Sequence, residues 1–220
     1  VLAARDLFSE ALTALDTRIA RRELIAYPII DGQEVHTENI YESIDPSQKD
    51  CVVGKVHFAK LEQLFEAISV VSAGARKWRS TSVEERCLII EKAAEEMRER
   101  RADLAALIIR EVGKPWKEAD ADVAEAIDFC TYYAQEMKGF AQWELTMKVP
   151  GEENYYLYEP RGIVAVIAPW NFPLAISCGM VVAALVSGNA VIYKPAEQST
   201  LVGAELAEIL LRAGIPADAF

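Results

Sequence analysis

Apolar residues recur at helical spacing over most of the first two thirds of the chain. The opening segment places four of them on one face of a helix: Leu7, Leu12, Leu15 and Ile19. A longer run begins after Lys60 and repeats with the same period: Leu61, Leu64, Phe65, Ile68, Val71, Ala75 and Trp78. Such apolar faces are typical of helices that pack on a core, so both runs predict structural helices.

Two more helices are predicted on either side of Gly113. Residues 82–85, Ser-Val-Glu-Glu, have the form of a capping box and predict one helix from there to Gly113. The glycine is typical of a helix end, and Pro115 is typical of the first position of the next helix. Acidic residues on an exposed helix face are normally solvated, so Asp122 and Asp128 are interpreted as surface charges.

Two regions have the pattern of β-structure. Residues 27–30 and 34–36 flank Asp31-Gly32, which predicts a hairpin. The apolar runs 163–167 and 191–194 read as two strands, and a helix is predicted near residues 200–213. This alternation is typical of the opening βαβα units of a doubly wound sheet with parallel strands.

Charge and composition exclude several classes of protein. The formal net charge of −11 argues against nucleic-acid binding, which depends on clustered lysine and arginine. No apolar run approaches the roughly 18 residues of a membrane span, and the N-terminus lacks a secretory signal. Four cysteines without C-x-x-C spacing and two histidines indicate neither a metal site nor a disulfide framework. A cytoplasmic protein is therefore expected, and the valine at position 1 suggests a piece of a longer polypeptide.

Candidate chemistry follows the two predicted parallel strands. Residues 169–173, Pro-Trp-Asn-Phe-Pro, would present the Asn171 side chain at the carboxyl end of the first strand. Open α/β sheets bind ligands there, and an amide NH₂ can donate to a developing oxyanion. The second strand ends in Lys-Pro-Ala-Glu, residues 194–197. Taken singly, the first string is more often a tight turn, and a lysine after a strand is more often plain surface charge.

Together these strings resemble the hallmark motifs of the aldehyde dehydrogenase superfamily, P-W-N-F-P and K-P-A-E, and the resemblance extends from near Tyr27 to Phe220. It implies an α/β fold, the N-terminal part of a Rossmann-type doubly wound sheet preceded by a helical segment and a β-hairpin arm. The implied parts are a helical arm (1–26), the hairpin and helical part of the cofactor-binding domain (27–148), and the first βαβα segment of the NAD-binding domain (149–220). The catalytic domain is expected to be absent, so that the chain is truncated.

The resemblance also implies roles for individual residues. Asn171 would stabilise the oxyanion of the reaction. The cofactor NAD would be bound by residues at the two strand ends: Ile167, Ala168, Pro169, Trp170, Lys194 and Glu197. Glu125 and Phe172 would contact a small-molecule aldehyde substrate, although the residues around Glu125 by themselves favour a solvated carboxylate. Val112-Gly113-Lys114 matches a turn of the family, where a helix-ending role is sufficient.

Strings around residues 124–129, 150–156 and 171–176 resemble the branch of the family that oxidises L-glutamate γ-semialdehyde, or 1-pyrroline-5-carboxylate, in proline catabolism. The parent would be a monofunctional enzyme or a bifunctional proline-oxidising protein, forming a homo-oligomer. Enzymes of this family use a cysteine nucleophile in a G-Q-x-C context, which none of the four cysteines matches; Cys178 is interpreted as a small buried residue. The chain alone is therefore expected to be inactive. Two alternatives stay open: an aldehyde dehydrogenase of other specificity, and a non-catalytic binding or assembly module with the same fold.

Overall fold

The structure, a computed structural model, describes residues 2–142 and 144–220; the side chains of residues 2–4, 144, 145 and 148 are outside this description. The helices are α1 (Leu2–Ala20), α2 (Leu61–Ser80), α3 (Val83–Glu99), α4 (Arg101–Val112), α5 (Trp116–Phe140), α6 (Ala175–Val186) and α7 (Thr200–Ala213). The strands are β1 (Ile25–Ala26), β2 (Ile29–Ile30), β3 (Gln33–Glu34), β4 (Ile40–Ile44), β5 (Val52–His57), β6 (Glu144–Val149), β7 (Glu152–Tyr156), β8 (Ile163–Ile167) and β9 (Ala190–Lys194).

The N-terminal region contains the predicted helix and hairpin. Helix α1 packs against α4, and Val1 lies outside the described residues. Strands β2 and β3 pair antiparallel, and the two residues between them have positive φ angles, 51° for Asp31 and 70° for Gly32. This is the conformation of a two-residue hairpin turn, which glycine and aspartate tolerate best, so the predicted hairpin is confirmed.

The single helix predicted between Ser82 and Gly113 is wrong, because the structure has two helices there. Arg100, with φ −97° and ψ 14°, separates α3 from α4. Its guanidinium pairs with Glu205 on α7 at 2.7 Å. Helix α3 packs on α5, α6 and α7, whereas α4 packs on α1, α5 and the N-terminal part of α7. Apolar periodicity does not reveal such a change of partners.

Both ends of the α3–α4 region agree with the prediction. The Ser82 hydroxyl accepts a hydrogen bond from the Glu85 backbone N–H at 3.2 Å, which caps α3. Gly113 ends α4 in the left-handed conformation with φ 72°. Pro115 then precedes the first residue of α5, Trp116. A proline here sets φ for the helix start without removing a needed donor.

The C-terminal region is the predicted βαβα segment. Strands β8 and β9 pair parallel, with register from Ile163↔Ala190 to Ile167↔Lys194. Helix α6 connects them and packs on α5, while α7 follows β9 and packs on α3. These helices and the sheet enclose a core whose largest fully buried side chains include Trp78, Ile90, Met97, Leu185 and Leu206.

Two further sheets complete the fold. Strand β5 pairs parallel with β1 and antiparallel with β4. Strands β6 and β7 form a second hairpin, in which Val149 pairs with Glu152. The expected division at residues 148 and 149 falls within β6, and the three-part division stays a prediction. Among the described residues, none of the helices is both long and apolar enough to cross a membrane.

Candidate functional site

The parallel pairing of β8 with β9 brings two predicted site residues side by side. Ile167 stands opposite Lys194 in the register, and the backbone N–H of Ala168 donates to the Lys194 carbonyl at 3.1 Å. The chain therefore leaves both strands at one edge of the sheet. Ile167 is 68% exposed, so a large apolar side chain is presented to solvent at this edge.

The loop that follows β8, residues 168–174, is fixed at both ends and open in the middle. Ala168 and Leu174 are buried, whereas Trp170, Asn171 and Phe172 are exposed. The Phe172 carbonyl accepts a hydrogen bond from the first turn of α6 at 3.2 Å. Three consecutive side chains, including the predicted oxyanion donor Asn171, thus project from a fixed base.

Lys194 and Glu197 form an ion pair at the end of β9. The Lys194 Nζ lies 3.0 Å from Glu197 Oε1 and 2.9 Å from the Pro195 carbonyl. A hydrogen bond from the Glu197 backbone N–H, with a further one from Lys194, lowers the pKa of the Glu197 carboxyl below its ordinary value. The pair is solvent-exposed, so it can donate to and accept from ligand hydroxyl groups.

Beside this pair opens an apolar cleft of about 430 Å³, which the sequence did not predict. It lies between β9, α7, α2 and the start of β2, and its wall includes Tyr27, His57, Ile192, Lys194 and Glu197. A ligand with hydroxyl groups and a flat apolar ring fits this combination of a charged rim and an apolar wall. The residues present therefore fit the nucleoside part of a nucleotide.

A buried carboxylate on α5 anchors the loop, and its earlier interpretation as a surface charge is wrong. Asp122 is 1% exposed. Its Oδ1 accepts the backbone N–H of Ala175, the first residue of α6, at 2.7 Å, and its Oδ2 lies 2.7 Å from Lys114 Nζ. Burial of a carboxylate requires such partners, and the N-terminus of a helix supplies one of them.

A second buried carboxylate, Glu111 at the end of α4, does the same for α7. It accepts the backbone N–H groups of Leu201 and Val202 at 2.8 Å each, and the Ser43 hydroxyl at 3.2 Å. Burial raises the pKa of Glu111 to about 7, against the lowering effect of these hydrogen bonds. The sequence analysis interprets the following residues, Val112-Gly113-Lys114, as a helix end and assigns no role to Glu111.

Glu125 lies on a different element from the other predicted site residues. It is exposed on α5, three positions after Asp122 and four before Phe129. Residues at these spacings are neighbours on a helix surface, and both of these neighbours contact α6 or its first amide. Asn171, Phe172, Lys194 and Glu197 are brought to the sheet edge, while Glu125 lies on α5 between two residues that contact α6. The roles of these residues stay predictions.

The cysteines do not form a nucleophile at this edge. Cys130 and Cys178 are fully buried, with their Sγ atoms 3.4 Å apart, although 48 positions separate them in the chain. Hydrogen bonding to Cys130, together with burial, raises the pKa of Cys178. The interpretation of Cys178 as a packed core residue is confirmed. Cys87 is also buried, and Cys51 lies between β4 and β5.

Comparison with known proteins places these features in a family. The model of the aldehyde dehydrogenase family matches residues 33–220. The chain is 42% identical to 1-pyrroline-5-carboxylate dehydrogenase 1 of Halalkalibacterium halodurans, over 98% of this chain and 41% of that protein. It thus spans about two fifths of the length of this curated relative.

Solved structures give the same result. Proline utilization A from Bdellovibrio bacteriovorus, inactivated by N-propargylglycine, superposes with a TM-score of 0.96 and 40% identity. The match covers 100% of this chain and 23% of that one. The 1-pyrroline-5-carboxylate dehydrogenase from Thermus with bound NAD superposes with a TM-score of 0.91 and 39% identity, covering 100% of this chain and 42% of that one.

Proposed function

The chain belongs to the aldehyde dehydrogenase family, and from this premise we propose that it forms the NAD-facing, N-terminal part of an enzyme that oxidises L-glutamate γ-semialdehyde to L-glutamate. The observation that carries the proposal is the meeting of the Asn171 loop and the Lys194–Glu197 pair at one edge of the β8–β9 sheet. The named substrate is supported by relatives about 40% identical that carry the name 1-pyrroline-5-carboxylate dehydrogenase.

Lys194 and Glu197 would hold the ribose hydroxyls of the adenosine half of NAD. The ammonium donates and the carboxylate accepts, and the apolar cleft beside them would take the adenine ring. A carboxylate at the ribose repels a 2′-phosphate, which favours NAD over NADP. The strand-end residues Ile167, Ala168, Pro169 and Trp170 would line the path of the cofactor. When bound, NAD⁺ accepts the hydride from the substrate.

Asn171 would act on the aldehyde itself. When a thiolate adds to the carbonyl carbon, the oxygen becomes an anion, and a fixed amide NH₂ stabilises it more than it stabilises the neutral aldehyde. The loop that bears Asn171 is held at both ends, so little reorganisation is needed. We assign the nucleophile to none of Cys87, Cys130 and Cys178, because these thiols are buried.

Phe172 and Glu125 would contact the substrate chain. Phe172 adjoins Asn171 and exposes its ring, which suits contact with the methylene groups of a five-carbon aldehyde. Glu125 is exposed on α5, so its carboxylate could pair with the substrate's ammonium group. An aldehyde without an ammonium group should then gain nothing from Glu125.

A kinetic comparison tests the proposal in the natural polypeptide that contains this chain. Lys194→Ala and Glu197→Ala should each raise the KM for NAD about tenfold, the effect of one charged hydrogen bond, with little change in the KM for the aldehyde. Lys138→Ala and Glu91→Ala are matched controls, since this exposed pair, 2.7 Å apart, joins α5 to α3. A shift in the aldehyde KM alone would refute the ribose assignment.

The substrate is tested in the same assay with a set of aldehydes. L-Glutamate γ-semialdehyde should give a higher kcat/KM than unbranched aliphatic aldehydes of similar length, and Glu125→Gln should reduce that preference. Preference for another aldehyde, unaffected by Glu125→Gln, would assign the chain to an aldehyde dehydrogenase of other specificity. Failure of the natural polypeptide to oxidise any aldehyde would favour the non-catalytic module.

We further propose a cytoplasmic homo-oligomer. All four cysteines are free thiols, which is the usual state in a reducing compartment. Light scattering on the purified natural polypeptide gives its mass, and a monomer at micromolar concentration would contradict the oligomer. Cell fractionation tests the location.

A further inference from the structure

Lys114 makes two contacts that a helix-ending turn does not require. It stands between Gly113, which ends α4, and Pro115, which precedes α5. Its Nζ lies 2.7 Å from the fully buried Asp122 carboxylate, and the Lys114 side chain is itself only 12% exposed. The same Nζ lies 3.8 Å from the centroid of the Phe172 ring. One ammonium group therefore connects a buried carboxylate to an exposed loop.

Burying the Lys114–Asp122 ion pair costs desolvation free energy, so its buried position indicates that other contacts compensate. Removing an ammonium and a carboxylate from water costs more than their attraction returns unless further hydrogen bonds are made. Asp122 makes such a bond with its second oxygen, to the first amide of α6. Ala175, which carries that amide, comes directly after the loop of residues 168–174. The pair thus binds the loop at its end through the amide and at its middle through the ring.

We propose that Lys114 and Asp122 are positioning residues for the loop of residues 168–174, acting on Asn171 through Phe172 and Ala175. The cation over the ring fixes Phe172, and the carboxylate fixes the point at which the loop turns into α6. Asn171 directly precedes the first of these fixed points, Phe172. The pair touches neither substrate nor cofactor in this scheme, and its effect on the reaction rests on the proposed function.

Hydrogen exchange measures the positioning directly and needs no substrate. In the natural polypeptide containing this chain, the Lys114→Met, Asp122→Asn double variant removes both charges together, so neither is left buried and unpaired. Amides in a peptide covering residues 168–178 should exchange about tenfold faster, as expected for loss of a partly buried cation–ring contact. A peptide covering residues 200–211 of α7 should not change.

Kinetics supply the second readout. The double variant should lose about tenfold in kcat for the aldehyde, and its KM for NAD should change less than kcat, because Lys194 and Glu197 hold the ribose from the end of β9. Lys114→Arg, made in the parent, should keep both the loop exchange rate and kcat near their parental values, since a guanidinium pairs with a carboxylate and stacks on a ring. The matched control is the Lys138→Met, Glu91→Gln double variant, which removes an exposed pair of the same length and should change nothing.

Unchanged exchange at residues 168–178 in the Lys114→Met, Asp122→Asn variant would overturn the proposal. If that variant does not fold, Phe172→Leu tests the contact between the Lys114 ammonium and the ring, because it removes the ring and leaves the ion pair intact. Faster loop exchange in Phe172→Leu supports the cation–ring anchor, and parental exchange refutes it. If the loop loosens as expected but the parent oxidises no aldehyde, the proposed function fails and the positioning role stands.

Discussion

Asn171 is exposed between Ala168, whose backbone N–H donates to the sheet, and Phe172, whose ring lies under the Lys114 ammonium. Pro169 lies between the buried Ala168 and the exposed Trp170, and Phe172 carries the ring under the Lys114 ammonium. Held neighbours on both sides restrict the directions that the Asn171 side chain can take. At the scale of single residues, this arrangement determines how well the Asn171 amide can donate a hydrogen bond to the developing oxyanion.

We expect Asn171→Ala to lower kcat by about 100-fold in the natural polypeptide, the usual effect of losing one oxyanion donor. The Kd for NAD should change little, because the ribose is held at β9. Steady-state kinetics and calorimetric titration measure the two quantities. Asn154→Ala, an exposed asparagine on β7, is the control and should behave like the parent. A parental kcat in Asn171→Ala, with chemistry shown to limit turnover, would remove Asn171 from the catalytic set.

At the scale of elements, α2 packs tightly against the segment that follows α7. Gly74 is buried on α2, and a Cβ placed there would overlap the carbonyl group of Asp218, in the segment after α7. The Asp218 segment also reaches the sheet, because the Val191 N–H donates to the Ala219 carbonyl at 2.9 Å. Helix α2 and β9 thus depend on the same short stretch of chain.

Gly74→Ala should therefore reduce the free energy of unfolding by about 2 kcal/mol, although alanine is the better helix former. Gly139→Ala is the matched control, since Gly139 is also helical but has nothing within 4 Å of the position of a Cβ. It should raise stability by about 0.5 kcal/mol. Urea unfolding of the 220-residue chain, followed by circular dichroism, compares the two. Equal effects would show that α2 moves away from Asp218 at no cost.

Glu111 ties together three parts of the whole molecule. It belongs to α4, its carboxylate accepts from the first turn of α7, and it also accepts from Ser43 on β4. Burial raises its pKa from 4.5 to about 7. A carboxyl group whose pKa is higher in the folded than in the unfolded state favours folding while it is protonated. That contribution is complete below pH 4.5 and is lost as the pH rises through about 7.

Since each pKa unit corresponds to about 1.4 kcal/mol, the difference between 4.5 and about 7 is worth about 3 kcal/mol. We expect the unfolding free energy of the parent chain, relative to Glu111→Gln, to fall by about this amount between pH 4.5 and pH 7. Urea titrations at a series of pH values give the difference. Glu118→Gln, an exposed residue of α5, should leave the profile of the parent unchanged. A difference independent of pH would show that Glu111 is ionised throughout.

Much of the fold and of the candidate site was predictable because the signals are local. The Asp31-Gly32 turn, the Ser82 cap and the Gly113 helix end depend on the φ and ψ preferences of one or two residues, and all three are confirmed. The placement of Asn171 and Lys194 at neighbouring strand ends follows from two apolar runs joined by a helix. The roles assigned to these residues stay predictions for the kinetics above.

Other features depend on which distant segments meet, and no local spacing contains that information. The sequence alone determined the helical periods, the turns, the motifs at the two strand ends and membership of a family. Only the tertiary structure decided that Asp122 is buried, that Cys130 touches Cys178, that Arg100 divides a predicted helix, and that a cleft opens beside Lys194. The physical reason is that burial and pairing are properties of the packed whole: a carboxylate with the spacing of a surface charge becomes an anchor when the amide end of another helix is placed against it.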